Sequence, residues 1–289
     1  MEKEQQPLRI DVRTVIRSKS PALERFLPGF AIRYLERILH QDEFNFILST
    51  FGHLPGIAMA KTTLEHYGVT STPHGLEHIP LDGRYIFVSN HPLGGLDGSV
   101  LISVIGTLFG SVKFIVNDIL IHFKPFEDIF VPVNKHGRQS QEYAQLITQA
   151  YDSDAQMLYF PAGICSRKIK GKITDLPWKR NFLLKAINHQ RDIVPVFFSG
   201  QNSNFFYRLA NFRKRLHIPI NFEMFYLSDE MFRQKGAHFD LYFGAPIPYT
   251  HFTKEKTPDQ WVADIRTQLY NLPNSIPKPP QPDSATSPT

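Results

Sequence analysis

Seven short apolar runs, separated by stretches of helical periodicity, constrain this chain more than any other feature. They are "YIFVS" (85–89), "VKFIV" (112–116), "IFVPV" (129–133), "MLYF" (157–160), "IVPVFF" (193–198), "INFEMFY" (220–226) and "FDLYFG" (239–244), and each reads as a strand. Helical patterns lie at roughly 98–109, 138–151, 178–190, 203–216, 228–235 and 258–271. Such alternation predicts an α/β fold: a largely parallel central sheet flanked by helices. Residues 22–67 read as helices, with Ile32, Leu35 and Leu39 recurring at helical spacing. The expected organisation is an N-terminal helical segment (1–68), an α/β domain (69–272) and a Pro/Ser-rich tail (273–289) expected to be disordered, because it has almost nothing to bury.

A chain of 289 residues with 42% hydrophobic residues can bury a sizeable core. Its formal net charge of +5 suits anionic partners without choosing among them. The single cysteine, Cys165, excludes an intrachain disulfide and fits a reducing compartment. The N-terminus has no apolar core, so no signal peptide is expected. The longest uncharged apolar stretch, Gly98 to Val112, is too short to span a bilayer. The expectation is a protein that is soluble or bound to one membrane face. A hydrolase nucleophile elbow, a Gly-rich phosphate loop and nucleic-acid motifs are all missing, so no nucleic-acid partner is expected.

The run "YIFVSNHPLGGLDGSV" (85–100) leaves a strand at Asn90 and His91 and enters a helix near Ser99. Open α/β sheets place ligands at such strand ends. Gly94 and Gly95 allow a turn that folds Asp97 back toward His91. An aspartate on one imidazole nitrogen would fix the tautomer and leave the other nitrogen as a general base. Capping of the following helix is the second role open to Asp97.

The Asn-His…Asp loop resembles the first motif of the glycerolipid acyltransferases, the family of lysophosphatidic acid acyltransferase. "DIFVPVNKHGR" (128–138), "MLYFPAGICSRK" (157–168) and "DIVPVFFSG" (192–200) resemble the family's second, third and fourth blocks, in order. The details "NHPLGGLDG" and "FPAGxxSRK" look most like a bacterial branch carrying a haemolysin label, which includes O-acyltransferases of amino-acid lipids. Two departures stand out. Five residues separate His91 from Asp97 where the family has four, and Ala162 stands where the third block carries a glutamate.

The resemblance implies an O-acyltransferase that moves a fatty acyl group from acyl-carrier protein or acyl-CoA to a lysolipid or hydroxyacyl amino-acid lipid. His91 and Asp97 would be catalytic, with no metal or bound cofactor. Asn90, Lys135, Arg138, Gly163, Ser166, Arg167 and Lys168 would bind substrate, the cations holding the acceptor's phosphate or carboxylate. Gly163 could instead serve only its turn, and the cations a solvated rim. A non-catalytic lipid-binding protein of the same fold is the alternative.

In "NFFYRLANFRKRLHI" (204–218), Phe205, Leu209, Phe212 and Leu216 share a helical face edged by Arg208, Arg213, Lys214 and Arg215. This suits a helix lying on an anionic membrane surface, here the inner face of the cytoplasmic membrane. It equally suits a core-facing helix whose arginines reach outward. "HGLEH" (74–78) spells a zinc-peptidase motif. That motif needs a helix, which Pro73, Gly75 and Pro80 oppose.

Overall fold

The computed structural model describes residues 9–117, 123–133 and 141–276. Five helices come first: α1 (Val12–Lys19), α2 (Pro21–Phe26), α3 (Gly29–Ile38), α4 (Gln41–Phe51) and α5 (Gly56–His66). Strands and helices then alternate. They are β1 (Thr70–His74), β2 (Tyr85–Ser89), α6 (Leu96–Phe109), β3 (Val112–Asn117), β4 (Phe130–Val133), α7 (Gln141–Asp152) and β5 (Gln156–Tyr159), then a hairpin of β6 (Arg167–Ile169) and β7 (Lys172–Thr174). The chain continues through α8 (Asn181–Asn188), β8 (Asp192–Phe198), α9 (Asn204–Arg215), α10 (Leu227–Phe232), β9 (His238–Phe243) and α11 (Pro258–Ser275).

Among the described residues the main sheet has seven strands in the order β1-β9-β8-β2-β5-β3-β4. All neighbours pair in parallel except β8 and β9. Five strands therefore run one way, and β9 with β1 the other.

Strand β2 is buried along its whole length, and its alternation divides the core. Tyr85 and Phe87 point into a cluster shared with α4, α5 and α6, while Ile86 and Val88 point into one shared with α7, α8 and α11. The helices before β1 belong to the first cluster through Ile47, Leu48, Met59 and Leu64. Helix α5 lies so close to α6 that a Cβ on Gly106 would come within 2.8 Å of Ile57.

At the amino ends of the parallel strands sits Arg191, fully buried. Its guanidinium donates to the carbonyls of Tyr151 (2.7 Å) and Ala155 (2.8 Å), and also to those of Tyr85 and Ser153. Burial lowers its pKa to about 10.

One strand expectation changes. Residues 220–226 form no strand; Phe222–Tyr226 is a short 3-10 turn. The apolar alternation there is interrupted by Glu223, which is fully buried and bonded to two arginines. That ion cluster sets the local path, and Ile220 and Phe225 stay at the surface. The "HGLEH" run is not a helix. His74 ends β1 and pairs with Asp240 (2.8 Å), while Glu77 and His78 lie exposed on a single turn. Among the described residues no cluster of His, Cys, Asp or Glu could hold a metal ion. Helix α11 also continues to Ser275, past the boundary placed at 272, with Leu272 still buried.

Candidate active site

The carboxyl end of β2 delivers Asn90 and His91 to a short loop, and α6 begins at Leu96. Gly94 adopts φ +87°, and a Cβ there would meet Leu227 at 2.8 Å. Only glycine makes this turn without strain. The turn lies between His91 and Asp97, whose side chains meet.

His91 Nδ1 lies 3.0 Å from Asp97 Oδ2. Asp97 is fully buried in the first turn of α6, where negative charge complements the helix dipole. Its oxygens also accept from the backbone N–H groups of Leu93 (2.9 Å), Gly94 (3.4 Å) and Gly98 (2.9 Å). The N-cap of α6 is Gly95, without a side-chain cap, so Asp97 is not the cap; from within the first turn it pairs with His91 and accepts the Gly98 N–H. Phe160 stacks on the imidazole, centroids 3.9 Å apart and 18° from parallel. The His91 side chain remains 12% exposed, and among the described residues no partner takes Nε2. With the proton on Nδ1 directed at Asp97, the lone pair is on Nε2.

The other expected substrate-binding residues distribute differently. Asn90 is buried, and its amide bonds both backbone groups of Phe198 (3.0 and 2.7 Å), tying the end of β2 to that of β8. Gly163 (φ +70°) makes a turn in which its N–H donates to the Phe160 carbonyl, so that N–H is not directed at an oxyanion. Ser166 is buried. Its hydroxyl donates to Asp175 (2.5 Å) and its N–H to the His91 carbonyl (2.7 Å).

Arg167 is buried too, bonded to the Cys165 carbonyl (2.8 Å) and to Glu223 (3.2 Å). A guanidinium so enclosed holds the fold together and is not presented to an acceptor. Lys168 bonds Asn204 (3.1 Å), joining β6 to α9. Lys135 and Arg138 lie outside the described residues.

Arg213 is likewise withdrawn from the surface set, because its Nε bonds the second oxygen of Glu223 at 2.8 Å. Arg208, Lys214 and Arg215 are exposed. Helix α9 turns Phe206, Tyr207 and Ala210 inward. The face with Phe205, Phe212 and Leu216 is therefore outside, 49–57% exposed, and not core. Exposed Phe30 and Tyr34 of α3 continue this surface: the Tyr34 hydroxyl bonds that of Tyr226, on which Phe205 packs edge-on at 5.0 Å.

Two residues escaped the sequence reading. Phe160 lay within a recognised block without any signal of its stacking role. Asp175, in the loop after β7, is 2% exposed and holds the backbone N–H of His91 (3.2 Å), the Ser166 hydroxyl and the Trp178 indole N–H (2.9 Å). Burial raises its pKa, and those hydrogen bonds oppose the rise.

A cleft of about 90 Å³, almost wholly apolar, opens between α4, α5, α6 and α10. Leu96 and Ser99 line it from either side of Asp97 in the chain, opposite Phe44, Leu64 and Phe232, with Lys235 at its edge.

A family model described as acyltransferase matches residues 14–278. The chain is 42% identical over 264 residues to the lyso-glycine lipid O-acyltransferase of Bacteroides thetaiotaomicron, covering 91% of this chain and 97% of that protein. It is 39% identical over 264 residues to the protein of the same name from Phocaeicola vulgatus, covering 91% and 95%. Among solved structures, the 1-acyl-sn-glycerophosphate acyltransferase PlsC from Thermotoga maritima aligns with a TM-score of 0.47 and 16% identity, covering 91% of each chain. With the match running nearly end to end and two such relatives alike in name, the chain belongs to the acyltransferase family, and it is an acyltransferase.

Proposed function

We propose that this acyltransferase moves a fatty acyl group from a thioester donor, acyl-carrier protein or acyl-CoA, to the free hydroxyl of a lyso-glycine lipid. The observation that carries the reading is the His91–Asp97 pair, with Nε2 left to the acceptor. Nε2 takes the proton as the acceptor oxygen bonds the thioester carbonyl carbon. The tetrahedral intermediate collapses by breaking the carbon–sulfur bond, and the imidazolium returns its proton to the departing thiolate. Asp97 stabilises the imidazolium and keeps the ring in register. The choice of acceptor rests on the names of the two relatives. The apolar cleft lined by Leu96 and Ser99 suits part of an acyl chain. By resemblance to the family's second block, Lys135 and Arg138 are assigned to the acceptor's anionic headgroup.

Purified protein given labelled acyl-carrier protein or acyl-CoA should acylate a lyso-glycine lipid in preference to lysophosphatidic acid. Transfer to lysophosphatidic acid alone would sink the acceptor assignment. No thiol intermediate enters the mechanism: Cys165 is fully buried and burial raises its pKa to about 11. Cys165→Ser should therefore keep kcat within about threefold, since direct transfer loses no essential group. A trapped acyl-cysteine would overturn direct transfer.

No helix among the described residues is long and apolar enough to cross a membrane. The α3–α9 surface is the face for docking on the inner leaflet, its aromatic side chains flanked by exposed Arg33, Arg208, Lys214 and Arg215. Replacing Phe205, Phe212 and Leu216 by serine should weaken binding to anionic vesicles by roughly 2–4 kcal/mol at any salt concentration. Neutralising Arg208, Lys214 and Arg215 should cost about 1 kcal/mol each at low salt and less at high salt. Vesicle sedimentation measures both. Binding unchanged in both variants would remove this face from the proposal.

A further inference from the structure

We propose that Asp175 is a positioning residue for the transfer reaction, holding the backbone of the catalytic histidine through a carboxylate that no neutral side chain replaces. The inference rests on His91 being the general base. An imidazole is aimed by its main chain as much as by its ring partner. His91 is held at the ring by Asp97 and Phe160, and on the main chain from the opposite side. Its N–H donates to Asp175 Oδ1 (3.2 Å), and its carbonyl accepts from Ser166 N–H (2.7 Å). Ser166 then closes the circuit, its hydroxyl donating to the same Oδ1 at 2.5 Å.

The chemistry of the surroundings specifies a carboxylate. Oδ1 meets a main-chain N–H and a hydroxyl, and Oδ2 meets the indole N–H of Trp178 at 2.9 Å. The main-chain and indole groups are donors only. An asparagine must turn its NH₂ toward one of them in either orientation, leaving a buried donor facing a donor. Asp175 is itself anchored to α11: its N–H donates to the Tyr270 hydroxyl (2.9 Å), and Arg266 donates to its carbonyl (3.0 Å) and to Thr174 (2.7 Å). The loop cluster that carries Ala162 where the family resemblance implies a glutamate thus still contains a buried carboxylate, brought in from beyond the β6–β7 hairpin.

Steady-state kinetics on the full chain, with a thioester donor and a lysolipid acceptor, test this. Asp175→Asn should lower kcat by about 100-fold, the cost of sub-ångström to ångström misplacement of a catalytic group, with both KM values within about threefold. Ile147→Ala, a core truncation on α7, serves as the stability control: its Tm should fall while kcat stays within about threefold. A D175N enzyme within threefold of wild type overturns the proposal. So does an I147A enzyme whose kcat falls as far as that of D175N. If D175N does not fold, Ser166→Ala decides. A loss in kcat of about tenfold at unchanged KM supports the circuit, while a raised acceptor KM at unchanged kcat overturns it. His91→Ala runs in parallel. If H91A turns over, the base assignment fails and this inference falls with it. If H91A is inert and D175N is intact, only this inference fails.

Discussion

His91→Ala is expected to turn over roughly 10³- to 10⁴-fold more slowly than wild type, with unchanged circular dichroism and thermal midpoint. The ring bonds Asp97 and stacks on Phe160 but remains partly open to solvent, so its removal leaves a small cleft and no collapsed core. Asp97→Asn loses activity for a second reason. Every group around its oxygens is a donor: His91 Nδ1–H and the backbone N–H groups of Leu93, Gly94 and Gly98. An amide there sets an NH₂ against one of them and tempts the imidazole into the wrong tautomer. A loss of about 10²-fold or more is expected, together with a lowered thermal midpoint. Time courses of acyl transfer by the purified variants check both results. Turnover by H91A within tenfold of wild type would end the general-base assignment.

Arg191→Leu is expected to cost about 3–5 kcal/mol on chemical denaturation. The guanidinium satisfies carbonyls of Tyr85, Tyr151, Ser153 and Ala155 within the core. Leucine fills much of the volume and leaves those acceptors without donors. Because Arg191 precedes β8, it sits at the amino ends of the parallel strands, and His91 sits at the carboxyl ends. The folded fraction of R191L should therefore keep kcat within about threefold. A denaturation midpoint equal to that of wild type would show that the carbonyls find other partners.

The α/β class was readable because short apolar runs and helical stretches alternate, and β2 shows why: with both faces covered, it is buried at every position and apolar except for Ser89 at its exit. The His91–Asp97 pairing was readable because a strand exit, a glycine turn and a helix start leave few ways to arrange six residues. Arg167 and Arg213 were not readable as structural residues. Their shared partner, Glu223, lies in a segment whose apolar alternation mimics a strand, and charge alone does not disclose burial. Asp175 gave no signal because its partners come from the catalytic loop, the third block and α11, which only the tertiary fold assembles. The 70–74 strand, which shares only His74 with the metal-site spelling, lies at the sheet edge, where Thr70, Ser71 and Thr72 carry little hydrophobic pattern.

The meeting of two guanidiniums on Glu223 has a mechanical consequence. Arg167 belongs to β6, next to the residues that clamp His91, and Arg213 belongs to the helix whose outer face carries Phe205 and Phe212. One buried carboxylate thus ties the hairpin beside His91 to the helix that carries the proposed docking face. A bilayer resting on that face stands at one height above the imidazole. Acceptors would then be sorted by the depth at which their hydroxyl rides in the leaflet, before any headgroup contact is made.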